Sequence, residues 1–112
     1  MDEFSFKDVI NGSENYWNEK GKKLESKENP KVYFLGGQSG AGKSKLKDRI
    51  GKENLVIDVD EFRKYHPNYF GLYRKYGKES AKYTHNFASA VADELVKKSI
   101  ENKVDVIVDG TL

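Results

Sequence analysis

Apolar residues fall along the chain in blocks whose spacing changes from one block to the next. Lys31–Gly36 (KVYFLG), Leu55–Val59 (LVIDV) and Val104–Val108 (VDVIV) are short, nearly continuous apolar runs. Runs of that length suit strands buried on both faces of a parallel sheet. Between the second and third runs, Thr84, Phe87, Ala88, Val91, Ala92, Leu95, Val96, Ser99 and Ile100 recur at intervals of three and four. That spacing predicts one long helix over 79–102, with Asp93, Glu94, Lys97 and Lys98 largely off the apolar stripe. Leu46 and Ile50 predict a helix between the first two strands, stopped at Gly51. Asp60–Tyr65 predicts a short helix broken by His66-Pro67-Asn68, and residues 69–78 an aromatic connection punctuated by glycine. Residues 1–29 are polar, with Phe4, Phe6, Val9, Ile10, Tyr16, Trp17 and Leu24 scattered among them. They predict one or two short helices packed on something else. Asn11-Gly12-Ser13 is the expected break, with Ser13 capping the helix that follows. Asn29-Pro30 closes this region, because proline pushes its predecessor into extended geometry.

The order helix, β, α, β, α, β predicts an α/β fold with parallel strands and right-handed crossovers. It divides into an N-terminal helical segment, 1–29, and a core, 30–112. A length of 112 residues allows one hydrophobic core. The 20 basic and 18 acidic residues are interspersed, so there is no electrostatic footprint for a nucleic acid. No stretch approaches the ~20 apolar residues of a membrane span, and the acidic N-terminus argues against a signal peptide. Cysteine is absent, which excludes a disulfide framework and a thiolate metal site and is compatible with a reducing cytoplasm.

The candidate chemistry starts at Gly37-Gln38-Ser39-Gly40-Ala41-Gly42-Lys43-Ser44, which matches G-x-x-x-x-G-K-[ST]. The motif follows an apolar strand and opens an amphipathic helix, as in a P-loop NTPase. Its glycines let the backbone curl around phosphates without side-chain collisions. The curled N–H groups and the helix N-terminus form an anion nest. Lys43 would reach the β- and γ-phosphates, and the Ser44 hydroxyl would ligate Mg²⁺. A nucleoside triphosphate with Mg²⁺ is therefore the expected ligand. Such ligands sit beyond the carboxyl ends of parallel strands, where Asp58, Asp60 and Asp109 also lie. Asp60 is placed to act as a base toward an acceptor hydroxyl, or merely to cap Glu61–Tyr65. Asp58 is a first- or second-rank acid of that site. Asp109 acts on the metal, on water or on substrate, or simply turns the chain before Gly110.

Other features have blander alternatives. Tyr65, Tyr69, Phe70, Tyr73, Tyr76, Tyr83 and Phe87 could stack on a base, though local packing explains them better. His66 either touches substrate or occupies a turn. His85 has no acids or cysteines at ligand spacing, which argues against zinc.

Three segments together resemble the zeta toxin family, the kinase half of epsilon/zeta-type toxin–antitoxin systems: LGGQSGAGKS (35–44), VIDVDEFRKYHPNY (56–69) and VIVDGTL (106–112). The pairing of Ile57-Asp58-Val59-Asp60-Glu61-Phe62 with His66-Pro67 is more specific than the phosphate loop. The resemblance covers 31–112 well and implies an ATP-dependent kinase of a sugar hydroxyl of UDP-N-acetylglucosamine, controlled by an antitoxin. It implies that Lys43 and Ser44 hold ATP and Mg²⁺, that Asp60 is the catalytic base, and that Asp109, Thr111 and Asp93 lie on the substrate side. Asp109 stands where the family usually has Glu, a reach one methylene shorter. Family members continue past this point and supply arginines to the transferring phosphoryl group, whereas none follows Arg74 here. The resemblance therefore implies a truncated member, with an incomplete sheet of about three strands and an exposed apolar edge or face. Another P-loop kinase and an inactive ATP-binding chain that engages a partner are the alternative functions.

Overall fold

The computed structural model describes residues 4–35 and 54–109. Helix α1 spans Phe6–Tyr16 and starts from a reciprocal cap. The Ser5 hydroxyl accepts the Asp8 N–H at 3.3 Å, and the Asp8 carboxylate accepts the Ser5 N–H at 2.9 Å. The break expected at Asn11-Gly12-Ser13 does not occur. The Ser13 hydroxyl instead donates to the Ile10 carbonyl at 2.9 Å, inside the helix. Gly12 faces another helix: a Cβ there would lie 3.5 Å from Val91 Cγ2 and 3.6 Å from Phe87 Cζ, ordinary van der Waals distances. The contact with the other helix holds α1 together through a glycine that would weaken it in isolation.

After α1, the residues Trp17–Gly21 form one wider π-turn. A Cβ at Gly21 would fall 2.4 Å from Trp17 Cε3, so this close approach to the indole requires glycine. Three strands follow: β1 (Val32–Leu35), β2 (Leu55–Asp58) and β3 (Val106–Asp109). They form a parallel sheet in the order β1-β3-β2. The expected third run is thus a strand displaced toward its carboxyl end. The second strand stops at Asp58, one residue short of expectation, because Asp58 caps the 3₁₀ segment Val59–Tyr65.

The aromatic connection expected over 69–78 is a helix, α2 (Tyr69–Tyr76). Only Leu72 on it is buried, so it lacks the apolar stripe that announces a helix in sequence. It ends at Gly77, whose φ of 60° is accessible to glycine at little cost. A single 3₁₀ turn, Gly77–Glu79, leads into helix α3 (Ser80–Glu101). The expected stripe on α3 is buried from Thr84 to Ser99 apart from the half-buried Val96, and Ile100 is exposed.

The core forms where α1, α3 and the 3₁₀ segment meet the sheet, around Phe62, Phe87, Val91, Leu95, Leu55, Ile57 and Val106. Val9, Tyr16 and Trp17 of the N-terminal segment belong to the same cluster. No helix among the described residues is long and apolar enough to cross a membrane.

The two sheet edges differ. The Leu55 N–H donates to the Asp105 carbonyl at 2.9 Å, so Leu55 faces β3 and the polar groups of Val56 face outward. The Tyr16 hydroxyl donates to that outward Val56 carbonyl and closes the β2 edge. At β1 the Val106 N–H donates to the Lys31 carbonyl at 3.0 Å, which turns the polar groups of Val32 and Phe34 outward. Tyr33 and Phe34 are 48% and 67% exposed on this strand, the apolar edge expected of a three-stranded sheet.

The edge bond of Tyr16 carries a prediction. Burial first, and then the nearby Glu61 charge, push the Tyr16 phenol well above its ordinary value of 10.0. The folded state therefore holds the phenolic proton more tightly than the unfolded chain does. That contribution is complete below pH 10 and is lost as the pH climbs above it. Tyr16→Phe should cost about 1–2 kcal/mol at neutral pH by orphaning the Val56 carbonyl. It should also reduce the loss of stability between pH 9 and pH 11. Denaturant titrations of both proteins across that range measure this, and superimposable pH profiles would contradict it.

Candidate functional site

The strand register brings three of the expected acids to one end of the sheet. Asp58 and Asp109 are Cα partners on β2 and β3, and Leu35 of β1 pairs with Asp109 on the other side. In parallel strands such partners leave the same face of the sheet, so two carboxylates stand side by side at its carboxyl edge. Asp109 is buried and Asp58 half-buried, and both have interaction partners. Adjacent carboxylates removed from water need a cation or donors between them.

Asp60 lies two residues past this edge. Its own N–H donates to Asp58 Oδ1 at 3.1 Å, so the cap of the 3₁₀ segment is Asp58 and not Asp60. That leaves the Asp60 carboxylate free of capping. It is 63% exposed and pairs with Arg63 Nη2 at 3.2 Å. Arg63 was not singled out by the sequence patterns. The opposite charges at i and i+3 are visible in the sequence, but they become neighbours only once a helical turn is assigned there.

The remaining expected residues divide. His66 is 3% exposed and lies in the core. Its ring stands edge-on to Phe4 and Phe87, with centroids 5.8 and 5.3 Å away, and its Nδ1 accepts the Asn68 N–H at 2.9 Å. This is the turn-forming alternative, because the histidine holds the turn that leads into α2. Asp93 is exposed on α3, off the buried stripe. The phosphate-loop residues Gly37, Gln38, Ser39, Gly40, Ala41, Gly42, Lys43 and Ser44, and Thr111, lie outside the described residues. The aromatic cluster is packed on itself. Tyr76 stacks on Tyr83 at 4.2 Å, Tyr69 on Tyr73 at 6.5 Å, and Phe62 lies beside Tyr65 at 6.0 Å.

The donor set suits a hard cation. Mg²⁺ takes oxygen ligands, keeps several waters, and is commonly held by one or two carboxylates with substrate phosphates. The Asp58–Asp109 pair supplies such carboxylates. Among the described residues no three His, Asp, Glu or Cys side chains gather into a metal cage. A Mg²⁺ here would take its remaining oxygen ligands from phosphate, water and a hydroxyl such as that expected of Ser44.

Comparison with known proteins bears on the family and the fold. The family model described as zeta toxin matches residues 14–112. The toxin PezT of Streptococcus pneumoniae is 41% identical over 97 residues, covering 83% of this chain and 38% of that protein. The toxin zeta of Streptococcus agalactiae is 30% identical over 88 residues, covering 75% of this chain and 31% of its own length. A solved chain from the PezAT chromosomal toxin–antitoxin system of Streptococcus pneumoniae superposes with a TM-score of 0.86 at 30% identity. That superposition covers 99% of this chain and 48% of the solved one. The chain thus spans less than half the length of each of these relatives.

Proposed function

The chain belongs to the zeta toxin family, and from that membership we propose that it is built to transfer the γ-phosphoryl group of ATP to a hydroxyl of UDP-N-acetylglucosamine. The observation that carries the proposal is the grouping of Asp58, Asp109 and Asp60 at the carboxyl edge of the sheet, where Leu35 leads toward the glycine-rich motif. Lys43 and Ser44 would hold the triphosphate and Mg²⁺, with the Asp58–Asp109 carboxylates on the metal's side. The metal would supply neutralisation of the phosphate charge. Asp60 would accept the proton of the acceptor hydroxyl as its oxygen bonds to the γ-phosphorus and the bond to ADP breaks. Asp60 is suited to this because it is exposed and because its main chain is tied down by Asp58. The family resemblance supports the acceptor sugar and an antitoxin partner.

Two measurements test the proposal. Titration calorimetry should show Mg²⁺-dependent uptake of ATP by the chain, weakened at least about tenfold in Lys43→Ala. Incubation with Mg-ATP and UDP-N-acetylglucosamine should then yield a singly phosphorylated sugar nucleotide by mass spectrometry. Failure to bind any nucleoside triphosphate would refute the whole reading. Binding without turnover would favour the alternative of an ATP-binding chain that acts through a partner.

A further inference from the structure

We infer that Arg63 is a positioning residue that fixes the direction of the Asp60 carboxylate; this inference rests on the role proposed for Asp60. Exposed ion pairs usually contribute little, because two long side chains must be ordered to form them. Arg63 differs in one respect. Its side chain is only 29% exposed, and its Nε is buried with no hydrogen-bond partner among the described residues. The stem is therefore already held, and the guanidinium reaches Asp60 Oδ1 with Nη2 at 3.2 Å at little further entropic cost.

A buried donor without a partner lowers stability. For packing alone, an unbranched apolar side chain would serve at least as well at this position. What the arginine adds is the contact to Asp60. Asp60 is then held twice on one 3₁₀ turn, by Asp58 on its N–H and by Arg63 on its carboxylate. A proton acceptor held in one direction meets the acceptor hydroxyl at the right angle more of the time, and misplacement of a reacting group is costly in rate.

The test compares Arg63→Met, Arg63→Lys and wild type. Three-bond couplings to Asp60 Cγ report its χ1 without any need for activity. Wild type and Arg63→Lys should show one dominant Asp60 rotamer, and Arg63→Met an averaged one. The melting temperature of Arg63→Met should be unchanged or raised, since it loses the orphaned Nε. Turnover of Arg63→Met should fall by about tenfold or more at an unchanged KM for ATP, with partial recovery in Arg63→Lys. A single Asp60 rotamer in Arg63→Met, or full turnover despite averaging, would overturn the inference. If wild type itself shows no turnover, it is the proposed function that fails, and the rotamer comparison still decides whether Arg63 directs the carboxylate.

Discussion

Asp60→Asn should lower phosphotransfer to the acceptor sugar by roughly 10²–10⁴-fold, the usual contribution of a positioned general base. The substitution keeps the shape of the side chain and the N–H donated to Asp58, and it removes only the proton-accepting charge. The protein should remain folded, because Asp60 is 63% exposed and its pair with Arg63 is a solvent-accessible one. Such a pair contributes at most about 0.5–1 kcal/mol, less when screened by salt. Affinity for Mg-ATP should be nearly unchanged, since the carboxylate acts on the acceptor and not on the nucleotide. Steady-state kinetics beside calorimetry separate the two quantities. A variant that keeps a tenth or more of the wild-type rate would remove Asp60 from the role of base. A variant that loses ATP binding as well would place it on the nucleotide or the metal instead.

The second large effect is on stability. Phe87→Ala should cost about 3–5 kcal/mol, the range for removing a fully buried phenylalanine from a close-packed core. Phe87 is 0% exposed and lies at the junction of three elements. Its ring meets Phe4 ahead of α1 at 5.4 Å and His66 after the 3₁₀ segment at 5.3 Å. It also faces Gly12 of α1, where a Cβ would lie 3.6 Å from Phe87 Cζ. Against a typical total of about 5–15 kcal/mol, the loss is enough to unfold a marginal domain. Phe87→Leu should cost less, about 1–2 kcal/mol, since it stays apolar and leaves a much smaller cavity. Chemical denaturation of the two variants gives the comparison. A cost below about 1 kcal/mol for the alanine would mean that the three elements do not depend on this ring.

Much of the fold is legible in the sequence. The apolar runs marked three strands, and the spacing along 84–99 marked the helix that covers them. Parallel connection then places Asp58, Asp60 and Asp109 at one end, because each follows or ends a strand. The helix at Tyr69–Tyr76 was not legible, because its face is aromatic and exposed and only Leu72 is buried. The continuous α1 was not legible either. Asn11-Gly12-Ser13 reads as a break in local terms, and only packing against α3 carries the helix through it.

Local and periodic information therefore determined the class of fold, its three strands and the long helix, the phosphate-loop motif and which acids leave the strand ends, while the helix expected at Leu46 and Ile50 lies outside the described residues. These follow from short-range backbone preferences and from the fixed period of each secondary structure, both of which are written in neighbouring residues. Tertiary structure alone decided which acid caps and which stays free, and it drew His66 out of the set of exposed groups into an aromatic core. It likewise decided that Tyr16 closes the β2 edge and that Arg63 lies against Asp60 with its Nε buried. Those outcomes depend on strand register and on the turn that follows Asp58, and side-chain burial is a property of the assembled elements rather than of any one segment.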